Sequence, residues 1–407
     1  MKTPITTRAL RGVAATIAAS ALLLAGCGST NPMAATGNAG AETRAKIEAA
    51  LRDAMATDHL RAVIVRITVN GEDVYTAALG ESGDGVPATP DMRFRNGAFA
   101  FTYIGHAFAR LADAGKVSLD DKLARWFPEM PRADLISLRN LLNMTSGYAD
   151  YVYQPVISDT LMANPWKQWT DDELLAIGFA APPMFAPGTN WAYSHTNYII
   201  LGKVLEKIGE RPLEQVLQEH VIGPMGLTAT SNNGRTPTIP EPILRSYSAE
   251  RGTYEESTFW SPSWTTAQGA VQTTSIHDVT RSMEIVGSGT QVSPDMYAQQ
   301  VKPNLLGFGS KDLTGQCLPC RKMTTELSYG LGVVLTGQWI TQTKNFAGAG
   351  ASSGYLPSKK LAISVATTYR PAAFKSDGSY VNSSSSVFNR LATIMAPADA
   401  PSARPPG

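Results

Sequence analysis

Apolar residues fall at helical spacing between Glu42 and Thr57 (Ile47, Ala50, Leu51, Met55), which predicts a first helix. The next stretch, RAVIVRITVNGEDVYTAALG, holds two β-rich runs broken by Asn70-Gly71, a strong hairpin signal. From about Gly97 a helix is predicted that is apolar on most sides (Phe99, Ile104, Ala107, Phe108, Leu111), as for a helix at the centre of a fold. Residues from about 119 to 261 mix short helical patterns with Pro- and Gly-rich loops and show little strand alternation. Strand patterns return late, at YGLGVVLTG and LAISVATTY, and a last helix is predicted around Ser385 to Met395. Strands at both ends of a helical middle predict an α/β (α+β) domain over residues 42–396. Its antiparallel sheet is flanked by helices, with the mostly helical region 119–261 inserted. The Pro- and Ala-rich tail, 397–407, is expected to be disordered.

Composition narrows the classes. The chain has 407 residues, 43% of them hydrophobic, enough for a sizeable core. Lys and Arg number 35 against 34 Asp and Glu, a balance that points away from nucleic acid as a partner. At the N-terminus Lys2, Arg8 and Arg11 precede an apolar run, Val13 to Leu24, and then Leu24-Ala25-Gly26-Cys27. A basic start, a short apolar core and small residues read as a secretory signal, residues 1–26. The cysteine after Leu-Ala-Gly resembles the bacterial lipoprotein box, which implies a lipid on Cys27 and a membrane-anchored, exported protein. A plain export signal is the blander alternative. Residues 27–41 then form a polar, small-residue tether. In an oxidising compartment Cys317 and Cys320, two residues apart, suit a small loop-closing disulfide. Metal is the weaker reading, because none of the five histidines lies near them in sequence.

Several segments carry a family likeness. FRNGAFAF matches F-R-x-G-S-x-x-K, and ISLRNLLNMTSGYADY matches I-T-x-R-x-L-L-x-H-T-S-G. FAPGTNWAYSHTNYIILGKVLEKI matches F-x-P-G-x-x-x-x-Y-S-N-x-x-Y, GPMGLTAT matches P-L-G-M-x-x-T, and FAGAGASSGY falls where an H/K-x-G strand is expected. In this order, from about Ala62 to Tyr369, the sequence resembles the class C β-lactamase and DD-peptidase family of serine hydrolases. The resemblance implies a serine nucleophile and a lysine one turn later on one helix face, a tyrosine base, and an oxyanion hole. It implies no cofactor.

Carried over position by position, the catalytic groups are missing. The serine position is Ala98 and the lysine position Phe101. The tyrosine survives as Tyr193, His195 replaces the asparagine, and the last motif reads Gly348-Ala349-Gly350. Met144 stands where a histidine is usual. No shift restores Ser-x-x-Lys, since no serine lies between Ser82 and Ser118 and no lysine between Lys46 and Lys116. A relocated Ser194–His195 pair is disfavoured because adjacent residues point apart and no acidic residue lies within several positions. Thr102 with His106 at i+4 is disfavoured because both sit deep in a buried helix. The runs SLDD and TDDELL read as helix N-caps. The expectation is an exported, lipid-anchored pseudoenzyme that binds rather than cleaves. Its pocket comprises Ala98, Phe99, Phe101, Tyr193, His195 and Gly350, and its ligand is a peptidoglycan-type peptide or a small apolar molecule. The alternative is an active serine hydrolase (esterase, β-lactamase or DD-peptidase) with non-standard catalytic residues.

Overall fold

The first two long strands, β1 (Leu60–Val69) and β2 (Glu72–Gly83), turn at Asn70 and Gly71, whose φ values are 54° and 81°. Two positive φ angles are what a two-residue hairpin of this hand demands, and Asn-Gly supplies them at least cost. The structure, a computed structural model, describes residues 35–232, 236–302, 305–310, 317 and 320–401. The signal segment 1–26 and Cys27 therefore lie outside the described residues.

Ten further strands follow: β3 (Val86–Pro87), β4 (Arg93–Arg95), β5 (Tyr247–Ser248), β6 (Glu255–Glu256), β7 (Thr273–Ser275), β8 (Ser328–Tyr329), β9 (Val334–Thr336), β10 (Trp339–Phe346), β11 (Ala349–Leu356) and β12 (Leu361–Tyr369). Six of them join β1 and β2 in one antiparallel sheet of eight strands, in the order β3-β2-β1-β12-β11-β10-β9-β8. The last long strand thus lies beside the first, with Val65 opposite Val365. This pairing closes the domain from both ends of the chain, as the sequence pattern anticipates.

The sheet is covered on both faces, so β1 and β12 are buried almost throughout rather than on alternate residues. Val63, Val65 and Ile67 point to one layer, made by α1 (Ala41–Thr57) and α11 (Ser383–Met395) through Ile47, Leu51, Val387 and Leu391. Ala62 and Ile64 point to the other, where α2 (Phe99–Asp113) and the remaining helices pack. Those helices are α3 (Leu138–Leu142), α4 (Pro155–Ala163), α5 (Asp171–Ala180), α6 (His195–Gly209), α7 (Leu213–Leu217), α8 (Gly223–Met225), α9 (Ile276–Ser288) and α10 (Pro294–Val301).

The helical excursion runs on to Val301, beyond the expected limit near 261, because α9 and α10 follow β7. The signal for α9 is present in the sequence. Ser275 caps it by accepting from the Asp278 N–H, and Gly289 ends it at φ 69°. Thr170 likewise caps α5 in a reciprocal box with Glu173, whereas Ser118 and Asp121 of SLDD close a turn with no α-helix behind it.

Both flanking segments are more ordered than expected where they are described. Within the tether, Thr36 pairs with Thr76 on β2, and the Arg44 guanidinium donates to the Ala35 and Gly37 carbonyls, so this part covers a strand edge. At the tail, Pro397–Asp399 form a 3₁₀ turn, held by the Trp339 indole N–H donating to the Asp399 carbonyl at 2.7 Å. Cys317 and Cys320 are disulfide-bonded. No helix among the described residues is long and apolar enough to cross a membrane.

Candidate functional site

The turn into α2 is built to be tight. Asn96 is clamped to Gln272 by two bonds, its N–H donating to the Gln272 carbonyl and its Oδ1 accepting the Gln272 N–H, each at 2.9 Å. Gly97 follows at φ 54°, a left-handed conformation that favours glycine, and a Cβ there would meet Lys344 Cγ at 2.4 Å. Ala98 is then the N-cap and offers no side-chain cap to the helix.

Phe101, one turn in, is fully buried. Its ring stacks on Tyr198 at 4.0 Å and meets His195 edge-on at 5.4 Å, with Tyr193 at 5.9 Å. The pocket expectation needs correcting here: Phe99 and Phe101 have no accessible surface, so neither touches a ligand. They are core residues, and only Ala98, Tyr193 and His195 of the expected group around them keep partial exposure.

Thr102 and His106 are not a working pair. The Thr102 hydroxyl donates to the Gly332 carbonyl at 2.8 Å, while His106 Nε2 faces Gln291 Oε1 at 3.3 Å. Burial lowers the His106 pKa to about 4, keeping the ring neutral. Ser194 is buried and donates to the Ala149 carbonyl.

His195 does have an acidic partner. Its Nδ1 lies 2.9 Å from Oδ2 of Asp150, whose side chain is fully buried and also accepts the Val152 N–H. Forty-five positions separate the two residues, so a search of the near sequence misses the pair. Met144, in the usual histidine position, adopts φ 66°, and its sulfur accepts the Ser194 N–H and the Asn197 amide. It fastens the strand-like segment before α6 to the loop that carries Asp150.

Gly348 and Gly350 lie elsewhere. The Gly348 N–H donates to the Tyr380 hydroxyl, and a Cβ at Gly350 would strike Asn382 and Thr367. The strand residue that packs against the start of α2 is Lys344 of β10. It was missed because the match was placed on the glycines. The available signal is a single lysine in an otherwise uncharged strand, WITQTKNF. Lys344 is 4% exposed, and burial, then the Arg95 charge, lowers its pKa to about 7. Its ammonium lies 5.9 Å from the Phe94 ring centre.

Further aromatics close the flank of the site. Phe346, at the end of β10, meets Trp264 at 5.4 Å, and the Trp264 carbonyl accepts the Tyr151 hydroxyl at 2.8 Å. Tyr151 in turn lies 6.0 Å from His195. Among the described residues no group of three or more His, Cys, Asp or Glu is arranged to hold a metal ion. The chemistry on offer is an oriented imidazole, a near-neutral amine and aromatic walls. Neither a hydroxyl nor a lysine stands on α2 at positions 98 and 101.

Comparisons with known proteins agree with this architecture. The family model described as Beta-lactamase matches residues 47–383. An esterase, EstB, from Burkholderia gladioli is 26% identical over 302 residues, covering 67% of this chain and 77% of its own length. Penicillin-binding protein 4 from Amycolatopsis lactamdurans is 29% identical over 226 residues, where this chain spans about half (54%) of that protein. The D-amino acid amidase from Ochrobactrum anthropi SV3 superimposes with a TM-score of 0.72 at 21% identity, over 87% of this chain and 98% of the amidase, a likeness of fold. With the match running from α1 to the start of α11, the chain belongs to the beta-lactamase family of serine-hydrolase-like proteins.

Proposed function

We propose that this member of the family binds its ligand without acylation, as an exported, lipid-anchored protein of the cell envelope. One observation carries the reading: the Phe101 ring, stacked on Tyr198 at 4.0 Å, fills the place of the lysine, and Ala98 beside it has no hydroxyl. Acyl transfer needs an activated nucleophile, and loss of one typically costs about 10⁶ in kcat. Here positions 98 and 101 supply neither nucleophile nor proton acceptor. The start of that helix remains suited to an anion or a polarised carbonyl. The relatives named as a penicillin-binding protein and an esterase support a peptidoglycan-type peptide or a small acyl compound as ligand.

A second reading has its own support. Asp150 orients His195, and a held imidazole is a general base for water. On that reading the protein is a hydrolase with relocated chemistry and forms no acyl-enzyme.

The deciding experiment incubates the purified protein with a fluorescent penicillin and a serine-directed phosphonate, with intact mass as readout. The binding reading expects no added mass and no turnover of p-nitrophenyl esters. Ester turnover that disappears in His195→Ala transfers the case to the second reading. A stoichiometric adduct on any serine or threonine overturns both.

A further inference from the structure

Arg95 and Lys344 are each more than nine-tenths buried, and Arg95 is close enough to disfavour charge on Lys344. Neither has an acidic partner among the described residues. Buried cations without a counter-charge are costly, and an anion from outside would offset that cost. The Arg95 guanidinium is also short of acceptors. Nη2 donates to the Pro237 carbonyl, while Nε is buried with no partner.

Arg95 lines a small recess, partly continuous with solvent, with Gln168, Trp169, Pro262, Ser263 and Val271. Small-ligand sites combine apolar walls with a few convergent polar groups. Here Trp169, Pro262 and Val271 form the apolar wall, and Gln168 and Ser263 add polar groups. The recess lies beside the start of α2, because Arg95 precedes Ala98 by only three positions.

We propose that this recess binds a small organic carboxylate, with its carboxylate on the Arg95 guanidinium and its apolar body against Trp169 and Val271. A planar guanidinium matches a carboxylate in geometry. A single lining cation beside uncharged side chains, three of them apolar, suits a monoanion with an apolar body better than a multiply charged phosphate. This proposal rests on the ligand-binding reading above and names the ligand class for the flank of the same site.

The probe is phenylacetate, followed by ligand-observed NMR and thermal melting, with neutral phenylacetamide and inorganic phosphate as comparison arms. Phenylacetate is expected to bind saturably and raise Tm, the amide to bind at least about tenfold more weakly, and phosphate to give no shift. Arg95→Gln is expected to abolish the effect. Val271→Phe, which fills the recess and leaves Arg95 on Pro237, should abolish it too and decides the matter if Arg95→Gln does not fold. Equal binding of acid and amide, a phosphate shift without a phenylacetate shift, or undiminished binding in Val271→Phe overturns the proposal. A covalent mass with penicillin instead overturns the non-acylating reading and leaves the recess result standing.

Discussion

Asp150 and His195 meet at 2.9 Å between Oδ2 and Nδ1, across two segments 45 residues apart. The buried carboxylate accepts from Nδ1–H and so assigns the tautomer, leaving Nε2 as the acceptor nitrogen in the neutral ring. The ring is gripped between Phe101, Tyr193 and Tyr151. Asp150→Ala should release that tautomer and also uncap the Val152 N–H, for a loss of about 1–3 kcal/mol by chemical denaturation. Imidazole ¹⁵N shifts of His195 are expected to report one tautomer in the wild type and a mixture in the variant. An unchanged tautomer in Asp150→Ala refutes the orienting role.

Restoring the lost pair should be harder than two substitutions suggest. Ala98→Ser alone returns an unassisted hydroxyl, a poor nucleophile near its free pKa. Phe101→Lys removes a fully buried ring stacked on Tyr198, a truncation of a kind that costs about 3–5 kcal/mol. The double variant is therefore expected to be markedly less stable and to acylate slowly with fluorescent penicillin, faster once His195→Asn is added. Rapid labelling by Ala98→Ser alone contradicts this account.

Lys344 predicts a pH signature. Its folded pKa, about 7, lies below the ordinary value of 10.5, so the unfolded chain holds more protons between the two. Stability should rise as pH climbs from about 7 towards 10, and this contribution should be flat below 7. Arg95, lowered by burial to about 10, stays charged through most of that window. Lys344→Met should remove the rise, and the difference between wild type and variant in chemical denaturation at stepped pH isolates it from the buried tyrosines. A difference independent of pH counts against the lowered pKa.

The N-terminal segment makes its own prediction. A lipid on Cys27 places the protein with membranes, and two or more acyl chains hold it there stably where one does not. Wild type is expected in the membrane fraction with a diacylglycerol mass on its N-terminus, and Cys27→Ala is expected to lose both. Wild type recovered wholly soluble, without lipid mass, excludes the anchor.

Local patterns carried most of the architecture. The Asn70-Gly71 turn, the apolar α2 and the late strands are written in residue types whose geometry is fixed within a few positions. β4 and β7 are three residues each and have no period to read; their pairing, Phe94 opposite Thr274, joins segments far apart in the sequence. The site was legible where substitution alone decides, at Ala98 and Phe101. It was illegible where partners come from afar, as Asp150 does for His195. For Lys344, burial gives the residue its meaning, and sequence spacing does not show burial in a strand as rich in polar residues as WITQTKNF.

Gly97 offers the sharpest test of how Lys344 sits. An alanine there must keep φ near 54°, which costs about 1–3 kcal/mol for a residue with a side chain. It must also push aside Lys344 Cγ, 2.4 Å from the new Cβ, with Lys344 Cβ at 3.1 Å. The two costs are separable, because only the second depends on the lysine stem. Gly97→Ala should destabilise the protein in either background, but by less when Lys344 is first replaced by Ala, which removes Cγ. A double-mutant cycle measured by denaturation is expected to give a coupling of about 0.5–3 kcal/mol between the two positions. Strict additivity would mean that the Lys344 stem does not lie against the turn that starts α2.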